Sequence, residues 1–453
     1  MTIATAVDDS RRGRRNGRIL RAASWITAAT VLVKVVATGK ELLVAAVYGR
    51  GALIDAFMLA VLIPGLLVNL FAESMNQALV PAFIHLRAAR GEGPAARLLT
   101  SALSLSFLFL LALAALLAIA APLFFRILFP LPSATLALAI RLFRALLPFA
   151  LFCSLASNGA AVLNASECFA APALAPILTP LAIVLTLLAA PRSWGIWSLV
   201  AGNLFGALLW SLVIFLLVVR SGQRFAPVSF RIYPELRQLI AQYVTILLSG
   251  LVACGGLITD QVMASRLAVG SVSALTWASR FSAVLMTILG GAIGTAITPY
   301  LAQSVAAHDW SSCRSILRRY VALSALVTLP LAALLIFASR PIIAIAFQHG
   351  AFHAQDTKLV ASVQSMFALQ IPFFVVSRVF YRFLLVLRRS SLVLLCGAIN
   401  LVLDIVLNLI LMRVMGVAGI ALATSLWTVS TFIFLAYWSR RLLRQSISAE
   451  ASA

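Results

Sequence analysis

The chain has 453 residues, 62% of them hydrophobic and 11% charged, with a mean hydropathy of +1.05. This exceeds the apolar content of a soluble globule and reads as a polytopic membrane protein. Thirty-five Lys and Arg against 13 Asp and Glu give a net charge of +22. The basic residues are dispersed through short loops rather than gathered on one polar module, so nucleic acid is not an expected partner. The five cysteines, Cys153, Cys168, Cys254, Cys313 and Cys396, are scattered without metal-ligand spacing and read as packing residues.

The N-terminal arginines Arg11, Arg12, Arg14, Arg15, Arg18 and Arg21 have the charge layout of a signal peptide. The apolar stretch that follows is long and broken by Lys34, with no small-residue cleavage site, so it is read as an uncleaved first span. Stretches long enough to cross about 30 Å of hydrocarbon fall near 24–48, 53–83, 99–124, 136–163, 170–190, 195–219, 239–265, 272–303, 317–338, 358–386, 391–412 and 418–438. The expected fold is therefore all-α, with twelve transmembrane helices in two six-helix lobes. The lobes are 24–222 and 239–438, joined by a linker at 223–238 and flanked by a basic segment, 1–23, and a tail, 439–453. Alternating the connections puts 21 Lys and Arg on the side of the termini and seven on the other, leaving seven within spans. By the positive-inside rule both termini are cytoplasmic.

Charge inside a span needs a reason, because each ionised group near the bilayer centre costs about 2.5–3.5 kcal/mol on insertion scales. The stretch Lys34 to Pro81 carries Lys34, Lys40, Glu41, Asp55, Asn69 and Glu73, and a substrate path is the expected use of them. Lys34 and Glu41, seven apart, share one helix face, whereas Lys40 points elsewhere. Asn69, Glu73 and Asn76 form one polar stripe. Arg280, in a glycine-rich span without a carboxylate in its next two turns, calls for an anion. Lys40, Arg141 and Arg382 are expected to snorkel their long stems to the interface.

An internal repeat is visible. A shift of 218 pairs Ala56 with Ala274, Ala60 with Ala278, Ala78 with Ala296, Pro81 with Pro299 and Phe129 with Phe347, and a shift of 224 pairs Pro148 with Pro372. Both halves have six spans and start on the same side, so the repeat is parallel, which in transporters places substrate between two lobes. Gly290, Gly291, Gly294 and Pro299 suit either close helix packing or a hinge. On the eleventh span Asn400, Asp404 and Asn408 are spaced i, i+4, i+8. This stripe suits a hard cation with oxygen ligands, or an interhelical hydrogen-bond clamp.

The run GKELLVAAVYGRGALIDAFMLAVLIPGLLVNLFAESMNQALVPAF with the loop LRAARGEGPAARLL, and later GSVSALTWASRF, FQHGAF, SRVFYRF and GVAGIALATSL, resembles the MviN/MurJ family of lipid II flippases. That family lies within the multidrug/oligosaccharidyl-lipid/polysaccharide exporter superfamily. The resemblance places Lys34 and Lys40 at the family's cavity arginines, Glu41 and Asp55 at its acidic positions, and Arg280 at its basic residue in the eighth span. It also implies a sodium site at Asp260, Asn400, Asp404 and Thr424. Asn69 stands where many members have Arg, Ala283 where many have Glu, and twelve spans where members commonly have fourteen.

The expected function is a monomeric flippase of the bacterial inner membrane. It would translocate a lipid-linked pyrophosphate saccharide for peptidoglycan biosynthesis or polysaccharide export by alternating access, with membrane lipids around it and no cofactor other than sodium. A cation-coupled, MATE-like drug exporter and a non-transporting scaffold are the alternatives; a drug exporter for cations should have an acidic cavity, whereas Lys34, Lys40 and Arg280 are basic. An enzyme is not expected, since the longest outer loop, Ser339 to Lys358, carries only His349, His353 and Asp356, and no nucleotide-binding glycine motif precedes a helix. Ions or membrane potential are left as the source of energy.

Overall fold

A computed structural model describes residues 28–166, 168–222, 226–227 and 233–452. Among the described residues there is no strand. Helix α1 covers 28–48. It is followed by α2 (Ala52–Arg90), α3 (Glu92–Leu128), α4 (Ser133–Ala165), α5 (Ala170–Leu174), α6 (Leu178–Ala189) and α7 (Trp197–Arg220). Then come α8 (Pro234–Ser265), α9 (Ser271–Ala306), α10 (Trp310–Phe337), α11 (Ser339–Phe347), α12 (Ala354–Ala368), α13 (Gln370–Val386), α14 (Ser390–Met415) and α15 (Val417–Ser452). Within the described residues each expected span is largely helix; residues 24–27 of the first span, the basic segment 1–23, and residues 223–225 and 228–232 of the linker lie outside them. Among the described residues ten helical stretches are long and apolar enough to cross a membrane; the first and seventh spans correspond to α1 and α8. Apolar side chains such as Ile119, Phe337 and Val414, at 77%, 88% and 80% exposure, face outward with no protein over them, as a surface bathed in hydrocarbon requires.

Two expected spans are interrupted, and proline explains both. Between α5 and α6 one 3₁₀ turn, Ala175–Ile177, carries Pro176, with Pro180 following; neither can donate to the carbonyl four residues back. The tenth span breaks at Leu369, between α12 and α13. Pro372, third in α13, leaves the carbonyl of Ala368 without its helical partner.

The described residues form two compact units. Unit 1 takes those up to Leu43, Ala60–Pro122 and Ile140–Leu248; unit 2 takes Val44–Leu59, Leu123–Ala139 and Ser249 onward. In unit 1 the core runs from Met75, Leu79 and Phe83 of α2 to Leu98, Leu99 and Ala102 of α3 and Leu236 and Leu239 of α8. Spacings of three and four put each set on one stripe. Helices α6 and α7 touch almost backbone to backbone, since a Cβ on Gly206 would lie 2.6 Å from Thr179 Cα.

Among the cores of unit 2, one joins α9, α10, α13 and α15 through Ile297, Leu301, Leu317, Val379, Phe383 and Leu443. Toward the start of α9, the ring of Trp277 lies 5.5 Å from that of Phe352 and 6.3 Å from that of Phe347, all three buried. The repeat is expressed in this packing. Ala56 and Ala274, Ala60 and Ala278, and Phe129 and Phe347 are buried in both copies, but Ala296 is exposed where Ala78 is buried. Of the cysteines, Cys153, Cys313 and Cys396 are buried and Cys254 partly so, whereas Cys168 is exposed in the connection after α4, departing from the packing expectation.

Candidate functional site

The polar residues of the spans fall into three groups. The first is built around the entry to α2. Asp55 sits in its first turn and is buried, at 4% exposure. Its Oδ2 accepts a hydrogen bond from the backbone N–H of Gly270 at 2.6 Å, and its Oδ1 one from Ser273 at 2.8 Å. Those are orphan donors at the start of α9, so a carboxylate from one helix caps another and stands in the favourable field of both N-termini. A side-chain cap of this kind contributes about 0.5–2 kcal/mol.

Beside it, Arg50 Nε donates to Asp356 Oδ1 at 2.8 Å. The other oxygen of Asp356 accepts from the backbone N–H of His353 at 3.0 Å, in a capping box at the start of α12. Gly270 holds φ +88°, and a Cβ there would collide with Arg50 Cγ, so only glycine serves both the turn and the packing. Finally, Ala351 N–H donates to the carbonyl of Ala46 at 2.8 Å, in the last turn of α1. A Cβ on Gly350 would collide with that same carbonyl oxygen. Sequence reasoning singled out Asp55 but left Arg50 and Asp356 as ordinary loop charges, because their 306-residue separation gives no local signal.

The second group is the set of span charges. Lys34 and Asn69 are exposed. Lys40, half-buried, places Nζ 2.6 Å from Oε1 of the buried Glu41. Adjacent helical residues do not share a face, and from sequence Lys40 was expected to point away and snorkel. The long stem instead folds sideways onto its neighbour, which neutralises both charges locally. Glu73 lies in α2, but its side chain falls outside the described residues. Arg280 is half-buried in α9. Lys34, Lys40, Glu41 and Asn69 belong to unit 1, and Asp55 and Arg280 to unit 2. Arg382 is half-buried, with its Nε buried 3.1 Å from where a Cβ on Gly294 would stand.

The third group joins α8, α14 and α15. Asn408 Nδ2 donates to Asp260 Oδ1 at 3.0 Å and to Asp404 Oδ1 at 3.1 Å, and Thr424 Oγ1 donates to Asp260 Oδ2 at 2.9 Å. Asn400 leans away, its Nδ2 donating to Thr431 Oγ1 at 2.8 Å. All five residues are buried. Three acceptors are left over: Asp404 Oδ2, Asn408 Oδ1 and Asn400 Oδ1 are buried with no hydrogen-bond partner. Neither carboxylate has a Lys or Arg in salt-bridge range among the described residues. A closed hydrogen-bond clamp would satisfy those oxygens, because an unpaired buried acceptor costs about 1–3 kcal/mol. Unpaired hard oxygens around two carboxylates fit a small cation. Asn408, part of the i, i+4, i+8 stripe but outside the ligand set implied by resemblance, is the residue that joins the two acids.

Comparison with known proteins matches the chain to a family. The family described as "Lipid II flippase MurJ" matches residues 44–451. A probable lipid II flippase MurJ from Rhizobium tropici is 28% identical over 434 residues, covering 91% of this chain and 79% of that one. Among solved structures, a lipid II flippase MurJ in an inward closed conformation superposes with a TM-score of 0.80 at 21% identity, covering 92% of this chain and 87% of the other. An inward-facing MATE family transporter of the MOP superfamily gives 0.79 at 14% identity, covering 92% and 95%. At these identities the likeness to solved structures is one of fold. The sequence match runs over most of the chain, and the protein therefore belongs to the MurJ family of lipid II flippases, multi-pass membrane transporters and not enzymes.

Proposed function

We propose that this chain carries a lipid-linked pyrophosphate saccharide, lipid II or a related polysaccharide precursor, from the inner to the outer leaflet of the bacterial cytoplasmic membrane. One observation carries the reading: a chain matched to the flippase family over 44–451 keeps Lys34, Lys40, Arg280, Arg378 and Arg382 within its spans. Basic side chains in a membrane call for an anionic cargo. The likeness to MATE transporters concerns fold, and the same basic residues disfavour the cationic drugs of the alternative exporter reading. Nothing favours a non-transporting scaffold.

With both termini cytoplasmic, as the distribution of Lys and Arg indicates, Asp55, Arg50 and Ala46 lie at the outer end. Their bonds to 270–273 and 351–356 act as a latch that opens when substrate is released outward. Such bonds suit a switch, because they are directional, few and exchangeable with water. The moving bodies are the six-helix lobes 24–222 and 239–438, joined by 223–238, and one chain suffices for transport.

Asp260, Asn400, Asp404, Asn408 and Thr424 would hold a sodium ion, whose gradient supplies energy to the cycle. An inside-negative potential adds outward drive of about 2.3 kcal/mol per net charge per 100 mV. The test is flipping of a fluorescent lipid-linked pyrophosphate saccharide in vesicles of known orientation. Outward flipping should need no ATP, slow when the potential is collapsed, and stop in Arg280→Ala protein that still inserts. Strict ATP dependence, or full activity without Arg280, would overturn the proposal.

A further inference from the structure

Two of the span arginines, both in unit 2, face glycines of a neighbouring helix. Arg378 and Arg382 lie one turn apart on α13, opposite Gly290 and Gly294, one turn apart on α9. A Cβ on Gly290 would stand 3.6 Å from Arg378 Cγ, and one on Gly294 3.3 Å from Arg382 Nη2. The missing side chains of α9 are thus the space the two arginines occupy. The guanidinium of Arg378 lies 4.9 Å from the ring centroid of Phe374 and 5.6 Å from that of Tyr381, which holds its plane by cation–π attraction. Arg382 Nε is buried and donates to nothing. None of the ion pairs formed among the described residues includes either arginine.

Two cations one turn apart, inside a span and without a carboxylate between them, repel each other and are poorly solvated. An anion removes both penalties. A guanidinium offers a planar fork that matches phosphoryl oxygens two at a time, and two forks about 6 Å apart along the helix match two linked phosphoryl groups better than one carboxylate. Gly290 is ten residues beyond Arg280 on α9, about 15 Å along its axis, so this pair is separate from Arg280. Arg382 is four residues from the end of α13, next to Arg388 and Arg389.

The geometry points to a receiving site in which Arg378 and Arg382 bind the phosphoryl groups of a lipid-borne anion near the cytoplasmic end of unit 2, before the cargo meets Arg280. Its place on the path rests on the transport reading and topology proposed above; the binding of a phosphoryl anion does not.

The test uses the full-length protein in phosphatidylcholine nanodiscs, with affinity measured for a prenyl pyrophosphate and with inorganic pyrophosphate and phosphatidylglycerol as competitors. Arg378→Gln and Arg382→Gln should each weaken prenyl pyrophosphate binding about tenfold, the scale of one charge-assisted bond. Arg382→Lys, which keeps the charge without the fork, should restore only part of the loss. Gly294→Ala leaves both arginines in place but crowds Arg382, and should weaken binding even if the glutamine variants fold poorly. Competition by inorganic pyrophosphate would assign recognition to the head group, and equal competition by phosphatidylglycerol would assign the site to bilayer phospholipid; either supports a phosphoryl site. Unchanged affinity in folded Arg378→Gln, Arg382→Gln and Gly294→Ala overturns the proposal while leaving transport intact. Absence of binding in wild type that still flips substrate overturns it as well, and loss of flipping in wild type overturns the transport reading separately.

Discussion

Asp55 and Ser273 are equivalent positions of the internal repeat, 218 residues apart, and the carboxylate of the first accepts the backbone N–H of the second at 2.8 Å. The two positions bring different groups to the bond: the first supplies a side-chain carboxylate and the second only its main-chain N–H at a helix terminus. The acid stands in the field that the start of α9 favours.

Removing that acid should show at the amides it holds. In Asp55→Ala, hydrogen exchange at Gly270 and Ser273 is expected to accelerate about 5–30-fold, corresponding to roughly 1–2 kcal/mol, with little change at α14. Unchanged protection of both amides would mean that the cap contributes nothing.

A second expectation concerns Gly270. Gly270→Ala places a Cβ at φ +88° and against Arg50, so the variant should melt lower, by about 1–2 kcal/mol from the backbone alone. Arg50→Ala relieves the collision but also removes the ion pair to Asp356, so the double variant is compared with Arg50→Ala alone and should lose only what the backbone strain costs. A loss there as large as that of Gly270→Ala in wild type would assign the whole effect to the backbone.

The polar cluster makes a prediction about ligand linkage. If Asp404 and its neighbours hold sodium, wild type should gain about 1.4 kcal/mol at sodium tenfold above the dissociation constant. Asp404→Asn should remove that gain while melting close to wild type in potassium, and Asn408→Ala should remove it with a lower melting point in either salt, since Asn408 joins the two acids. A sodium-independent melting curve in wild type would leave the orphaned oxygens to water.

Asp309, outside the spans, gives the pH case. It caps α10, accepting from the backbone N–H of Ser312 at 2.8 Å and the hydroxyl of Ser311 at 2.9 Å. The bonds to Ser312, then those to Ser311, hold its carboxyl below the ordinary 3.8. A depressed carboxyl contributes stability that is present above the unfolded value and lost as pH falls through the folded one. Fraying at Trp310 to Cys313, followed by exchange-rate-corrected mass spectrometry, should therefore begin only below pH 3.8, whereas Asp309→Ala should fray at neutral pH.

The all-α membrane fold was legible because bilayer thickness sets a length that long apolar stretches reveal, whereas the breaks at Pro176 and Leu369 were not read from the sequence. The repeat was legible as a shift of 218, yet its meeting point was not, because equality of position says nothing about contact. Lys40 departed from expectation because a long, flexible stem can fold onto the residue beside it, which helix periodicity alone does not show. Asp260, Asp404 and Thr424 were legible through resemblance. Asn408 as the joint between the acids needed coordinates, since its two acceptors lie on separate helices.

The bond from Ala351 to Ala46 runs from main chain to main chain, and this fixes what mutagenesis can see. Replacing Ala46 or Ala351 leaves the donor and acceptor in place, so a scan of side chains would score both positions as dispensable. Gly350, which makes no bond there, would score as intolerant because any Cβ meets the Ala46 carbonyl. The contact is thus recorded in the sequence only as a required absence, and its partners are free to drift.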